Sequence, residues 1–225
     1  LFPTPATAIF ESPQGLGGKS LKVAELELIP ASGFPDLYLS YARSMGPAGF
    51  GLGFHKEDAQ VTAALAGGVT TQGLSMGIGA QLALSDLEAG AFSNATFPVS
   101  IRVGGDQGIG IGIAARSVLK LLQDFTLGLG GHFGKASPEL DILFDRGNRT
   151  DFSFNSVKGS LKLVYQASKE LSLLAGDTFT LTPAFNAVAK SPELGVSYWF
   201  TPSFGGFALF NGPDGTYAFG LLAKF

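Results

Sequence analysis

Ser75 and the two histidines of the chain are the side chains whose types could support nucleophilic catalysis. Residues Gly73-Leu74-Ser75-Met76-Gly77 match the Gly-x-Ser-x-Gly pattern, in which a strand-to-helix turn exposes a serine for acyl transfer. Here the motif lies in a segment that alternates like a strand. The base would be His55 or His132, which the strand pattern described below places near opposite ends of the structure. We therefore expect a chance match and no enzyme.

Two further patterns invite a ligand. Gly110-x-Gly112-x-x-Ala115 has the spacing of a dinucleotide fingerprint, but that fingerprint requires a following helix, and here the glycines alternate with isoleucine. We expect them to line an interior instead. Asp141, Asp145 and Asp151 fall in the longest predicted loop, and their spacing matches no calcium loop. We expect a solvated acidic loop there, and neither a metal nor a cofactor.

The composition raises a different question, namely what surrounds the apolar surface of the folded chain. Charged residues make up 15% of the 225, glycine accounts for 32 and phenylalanine for 20, and the mean hydropathy is +0.28. A soluble domain carries about 25% charged residues. The absence of cysteine excludes a disulfide scaffold and a zinc finger. A net charge of −3 leaves no basic surface for nucleic acid.

The alternation of residue types along the chain favours a lipid bilayer as the surroundings of this apolar surface. The longest uncharged stretch, 59–85, is interrupted by glycines and polar residues, so it does not read as a spanning helix of about 20 apolar residues. Segments such as 75–84, 108–115 and 125–133 instead alternate apolar residues with Gly, Ser and Thr. This period of two predicts strands, and a closed barrel is the other architecture that spans a bilayer. We predict an all-β, antiparallel, up-and-down transmembrane barrel, with the apolar residues outward.

Reading back from the C-terminus gives thirteen strands and, with 6–11 added, fourteen, because single-chain bacterial barrels have an even number. Twelve is the alternative count. The N-terminal segment 1–19 is a first strand or a short plug, the barrel spans 20–225, and the longest loop is 135–153. The thirteen predicted strands are 20–29, 36–43, 47–55, 59–68, 73–85, 96–103, 108–117, 125–134, 154–166, 169–179, 193–200, 203–211 and 216–225.

The last strand carries the first resemblance. Its outward face ends on an aromatic residue and is formed by Tyr217, Phe219, Leu221, Ala223 and Phe225. In this the chain resembles bacterial outer-membrane proteins, whose terminal strand is read by the barrel-assembly machinery. The resemblance implies an outer-membrane location with both termini in the periplasm. It also implies contact with the lipid bilayer and lipopolysaccharide, and it implies that these five residues act as the assembly signal.

A second resemblance rests on the strand count and on two segments, Leu39-Ser40-Tyr41-Ala42 and Gly49-Phe50-Gly51-Leu52-Gly53-Phe54. Here the chain is similar to the FadL/PorV-like outer-membrane transporter superfamily. That similarity implies transport of hydrophobic compounds. For the PorV-like branch, it implies service as a subunit of a secretion machine.

The predicted lumen carries isolated cations, which bias pores toward anions in general. We therefore expect a channel for passive passage of small or hydrophobic solutes. One alternative is a structural or accessory barrel that anchors an envelope secretion or motility complex and contacts other envelope proteins. The other is a barrel lipid hydrolase. The lumen and selectivity candidates are Lys22, Arg102, Arg116, His132, Lys158, Lys162 and Lys224.

Overall fold

The computed structural model is a closed antiparallel β-barrel of fourteen strands. Each strand pairs with its neighbours in sequence, and β14 pairs with β1 to close the barrel, as predicted. The strands are β1 Lys22–Ile29, β2 Asp36–Met45, β3 Ala48–Glu57, β4 Gln60–Thr71, β5 Leu74–Ala83, β6 Val99–Val103, β7 Gly108–Ala115, β8 Asp124–His132, β9 Ala136–Asp145, β10 Ser156–Gln166, β11 Leu171–Leu181, β12 Ala187–Thr201, β13 Phe204–Asn211 and β14 Thr216–Lys224.

The described residues also include a 3-10 turn Pro13–Leu16 and a helix Leu84–Glu88, and Ile9 and Phe10 are helical as well. Within the described residues, no helix has the length and apolar character needed to cross a bilayer. The structure describes residues 9–10, 13–17, 22–30, 35–88, 94–104, 108–115, 117, 124–145, 156–181, 187–212 and 215–225.

The two ends of the barrel differ in their connections. We call the end where β1 begins and β14 ends the terminal rim, and the opposite end the loop rim. At the terminal rim, two to four residues join successive strands. Gly46 and Gly73 lie in two of these turns with φ of 62° and 74°, a left-handed conformation that glycine adopts without steric cost. The longest connections lie at the loop rim.

The outer wall is apolar, as the alternation predicts. In β7, Ile109 and Ile111 are 65% and 62% exposed while Gly110 between them is buried. Leu127 and Leu129 of β8 follow the same alternation. Large exposed apolar side chains recur on alternate positions around the barrel. In water such a surface would drive aggregation, whereas lipid solvates it.

The fourteenth strand is not where the sequence places it. Ala136–Asp145 forms β9, inside the segment predicted as a loop, so Asp141 and Asp145 belong to a strand rather than to a solvated acidic loop. Conversely, the predicted strand 6–11 is wrong, because Ile9 and Phe10 lie inside the barrel and outside the ladder. The carboxylates of β9 make this segment resemble a loop in the sequence. In the structure they face the barrel interior, which accommodates polar side chains that a soluble core would exclude.

This one strand changes which rim each earlier turn occupies. Without β9, the alternation of turns places His55 at the rim of the chain ends and His132 at the other. With β9 present, His55 lies near the β3–β4 turn at the loop rim, and His132 ends β8 at the terminal rim. The histidines stay at opposite ends, but each lies at the end opposite to the predicted one. Similarly, residues 187–192, predicted as loop, extend β12 at the loop rim.

Candidate functional site

The lumen is divided between a sector that is filled and a sector that carries side chains of its own. The filled sector is the inner face of β2 to β6, where the N-terminal segment packs. Ile9 and Leu16 are 0% and 1% exposed and contact Ala42, Ala64 and Ala66 of the wall. We call the described residues 9–10 and 13–17 the plug. Small residues on these strands therefore accommodate a packed segment instead of widening an empty lumen.

Glycines of β3 make this packing possible. A β-carbon built on Gly51 would lie 2.5 Å from Cγ1 of Ile9, and one on Gly49 would lie 1.8 Å from the carbonyl oxygen of Leu16. Both separations are far below van der Waals contact, so side chains at these positions would expel the plug. The glycine excess in this sector thus has a steric cause, close approach of a second backbone.

Aromatic rings contact the end of the plug nearest the loop rim. Phe10 meets Tyr38 and His55 edge-on, with ring centroids 5.8 and 6.2 Å away. Tyr38 and His55 are themselves stacked at 3.9 Å. The side-chain amide of Gln81 donates a hydrogen bond to the Phe10 carbonyl oxygen. Edge-to-face contacts of this kind add to the burial energy, so Phe10 is the anchor of the plug nearest the loop rim.

The sector away from the plug contains an apolar row. Leu209, Gly195, Leu174 and Val164 are paired successively across β13, β12, β11 and β10. Directly paired residues share one face of a sheet, and Val164 is buried between outward neighbours that are exposed. A β-carbon on Gly195 would lie 2.5 Å from Leu209 Cδ2. The leucine therefore lies flat along the wall.

Two aromatic rings of the same sector lie on glycines in the same way. A β-carbon on Gly220 would come within 2.1 Å of the Phe207 ring, and one on Gly205 within 2.9 Å of the Trp199 ring. Rings that lie flat on glycine occupy little of the lumen's width. Together with Leu222, which shares their face, they give this sector a thin apolar lining.

A charged group lies on the inner face beside the apolar row. Lys162 forms an ion pair with Glu193 at 2.9 Å, and Glu139 is paired with Lys162 in the β9–β10 register. Asp141 occupies the next inward position of β9, with its carboxylate over Gly128. Three carboxylates thus surround one ammonium in this band. The inner face therefore carries carboxylates as well as the cations expected from the sequence.

The predicted lumen cations separate into several groups. Arg102, Lys158 and Lys162 occupy inward positions of their strands. Lys224 also lies on the inner face, where its ammonium is 3.6 Å from the centroid of the Trp199 ring. Such cation–π contact is favourable.

The other three candidates, Lys22, His132 and Arg116, have different outcomes. Lys22 lies on the outward face of β1, on the same side as Leu26 and Leu28, so its assignment to the lumen is wrong. The reason is a shift of one position, which reverses the face of a strand residue. His132 occupies an inward register position at the end of β8, paired with Gly108, and is exposed at the terminal rim, 2.7 Å from the Ser137 hydroxyl. Arg116 lies outside the described residues.

The five residues of the predicted assembly signal share one face, as the pattern requires. Tyr217, Phe219 and Leu221 are about half exposed and Phe225 is 72% exposed. Their strand β14 pairs with β1 along six residues. Recognition by an assembly machinery stays a prediction, but the geometry that it needs is present.

The serine motif has no catalytic geometry. Ser75 lies within β5 rather than at a strand-to-helix turn, and its hydroxyl accepts a hydrogen bond from Thr70 Oγ1 at 3.0 Å. The histidines lie in other strands, toward opposite rims. Similarly, Gly110 and Gly112 lie within β7, where no helix follows in the described part of the chain.

Comparison with known proteins identifies the class of fold. No family model matches the chain, and no curated protein resembles it in sequence. The Pseudomonas putida toluene transporter TodX superposes with a TM-score of 0.66 at 11% identity, covering 100% of this chain and 95% of TodX. The KdgM porin, in complex with oligogalacturonate, gives 0.53 at 9%, covering 90% and 99%. A variant of the Rh. blastica porin gives 0.52 at 10%, covering 91% and 98%. The chain has the closed antiparallel fold of outer-membrane β-barrel proteins.

Proposed function

We propose that the chain is a bacterial outer-membrane channel through which small hydrophobic solutes pass by diffusion. The observation that carries the proposal is the apolar lining of β10 to β14. Lumens of water-filled barrels are polar, whereas here Leu174, Leu209, Phe207 and Trp199 lie on the inner face. Such side chains favour a solute that is itself apolar. The TodX likeness supports the same class of solute, since the solute named for that protein is toluene.

The lengths of the connections at the two rims also support an orientation of the barrel in the membrane. Bacterial barrels have short periplasmic turns and longer extracellular loops. In this chain the short turns are at the terminal rim, beside the start of β1 and the end of β14. We therefore infer that β1 begins and β14 ends in the periplasm and that a solute enters from the loop rim.

Passage is tested by uptake in a bacterial host that lacks channels for hydrophobic solutes, because lipopolysaccharide then limits entry. Expression of the chain should accelerate toluene uptake. The double variant Leu174→Asn with Leu209→Asn makes the lining polar and should return uptake to the background rate. Phe207→Leu keeps the lining apolar and serves as the matched control. Equal uptake by the polar variant and the parent would refute the proposal.

A structural or accessory barrel is the second candidate, and the plug is the observation that favours it. Residues buried as completely as Ile9 and Leu16 close one sector of the lumen. For the accessory role, we expect a stoichiometric partner on purification from native membranes and no acceleration of uptake. A barrel that accelerates uptake and purifies alone would exclude it.

A further inference from the structure

Three polar side chains stand side by side on the inner wall at the terminal rim. Thr70 of β4 is paired with Ser75 of β5, which is paired with Arg102 of β6. Because directly paired residues share a face, the three side chains start from one row on the inner wall. The row lies where β4 and β5 meet in their turn, away from the apolar lining of β10 to β14.

Arg102 is held in this row by glycine. A β-carbon on Gly110 would lie 2.8 Å from Arg102 Nε, so the guanidinium lies along the wall of β7. Gly112, its partner in the register, places no side chain beside it. Within the described part of the chain, Arg102 forms no ion pair. The N–H donors of its guanidinium are therefore available to a ligand. Contact with this guanidinium also explains why position 110 is glycine in the pattern that resembles a dinucleotide fingerprint.

The row opens on a polar cavity of about 160 Å³, lined by Thr70, Gln72, Ser75, Arg102 and Gly104. On this measure of volume a single water needs only about 10–15 Å³, so a group of several atoms fits. Thr70 Oγ1 donates to Ser75 Oγ, which leaves the Ser75 proton free to donate elsewhere. The Gly104 N–H donates to the Gly73 carbonyl oxygen at 2.8 Å and fixes the cavity's edge.

We propose that this cavity binds a small oxyanion, a carboxylate or a phosphate. A guanidinium offers two parallel N–H donors that match two oxygens of such a group, and Ser75, which lines the same cavity, supplies an O–H donor. Every charged side chain that lines the cavity is cationic, since Arg102 is the one ionisable residue among its described lining. The site is separate from the apolar lining, so it holds whether or not the lumen conducts.

Titration calorimetry of the purified barrel in detergent tests the site, with inorganic phosphate and benzoate as probes at constant ionic strength. We expect saturable binding with one ligand per chain for at least one probe. Phosphate alone would identify a phosphate site, and tighter binding of benzoate a site for carboxylated apolar solutes. Absence of saturable binding by both probes overturns the proposal.

Variants then locate the binding. Arg102→Gln should weaken it at least about tenfold, as expected for loss of a charge-assisted hydrogen bond, and Arg102→Lys should recover part of the affinity. Lys158→Gln removes an inward cation on β10 and should leave the affinity unchanged. Equal weakening by Lys158→Gln would show general attraction of anions and refute the site. If Arg102→Gln does not fold, Ser75→Ala should still weaken binding severalfold.

Discussion

Truncation of the plug's two buried anchors should release it from the wall. Ile9 and Leu16 are almost fully buried against alanines of β2 and β4. Replacing a buried Leu or Ile with alanine costs about 2–5 kcal/mol. The pair Ile9→Ala with Leu16→Ala therefore weakens plug docking by about 4 kcal/mol at the lower end, since the two contacts are additive to a first approximation.

Cysteine labelling measures this release directly, because the chain has no cysteine. Ala66→Cys places a thiol beneath the plug, at a position 3% exposed. A loss of about 4 kcal/mol corresponds to roughly a thousandfold rise in the labelling rate by a water-soluble maleimide, up to the rate of an unprotected thiol. The outward Leu65→Ala serves as the matched truncation and should leave the rate unchanged.

A second reporter separates plug release from general loosening. Ser197→Cys lies on the inner face of β12, away from the plug. Its labelling rate should not respond to the plug truncations. An unchanged rate at position 66 would refute the packing argument, and equal acceleration at both reporters would attribute the effect to the whole barrel.

Three further predictions concern substitutions in the barrel wall. Leu127→Arg should destabilise the barrel in lipid vesicles by about 2–4 kcal/mol, as for outer-wall cations at the bilayer midplane, measured by urea unfolding. Lys162→Met should cost about 1–2 kcal/mol, because it leaves the Glu193 carboxylate without its 2.9 Å partner, and adding Glu193→Gln should recover most of it. Gly220→Val should cost about 1–3 kcal/mol through its clash with Phe207, and Phe207→Ala should relieve that cost.

Controls on the same strands make these outcomes specific. Thr126→Arg places the same cation on the inward face of β8, adjacent to Leu127, and should cost far less. Similar losses for the two arginines would argue against a lipid-facing outer wall. Failure of Phe207→Ala to rescue Gly220→Val would show that the ring does not need the glycine.

The split of the glycines between two roles could not be read from the chain. Gly51 and Gly195 both alternate with apolar residues, and in both cases a neighbour fills the space of the missing β-carbon. At Gly51 the neighbour is the plug, remote in sequence, whereas at Gly195 it is Leu209 of the next strand. A periodic pattern records that a position is small, but it contains no information about which group approaches it.

Strand β9 shows the limit of the pattern on the scale of the fold. Leu140, Ile142 and Phe144 alternate correctly, yet Pro138 and the carboxylates between them resemble a loop. Pairing decides the matter, because β8 and β10 each offer a partner edge along its length. The oxyanion cavity has the same origin, since Thr70, Ser75 and Arg102 become neighbours only through the register of three strands.

The sequence by itself determined that this chain is a membrane barrel and which residues of most strands face lipid. A side chain's face depends on local backbone geometry with a period of two, so neighbouring residues suffice to reveal it. Tertiary structure alone decided which strand is the fourteenth, at which rim each turn lies, and that a plug fills one sector while another is lined by apolar side chains. Those features depend on pairing and packing between residues far apart in the chain, which no local period records.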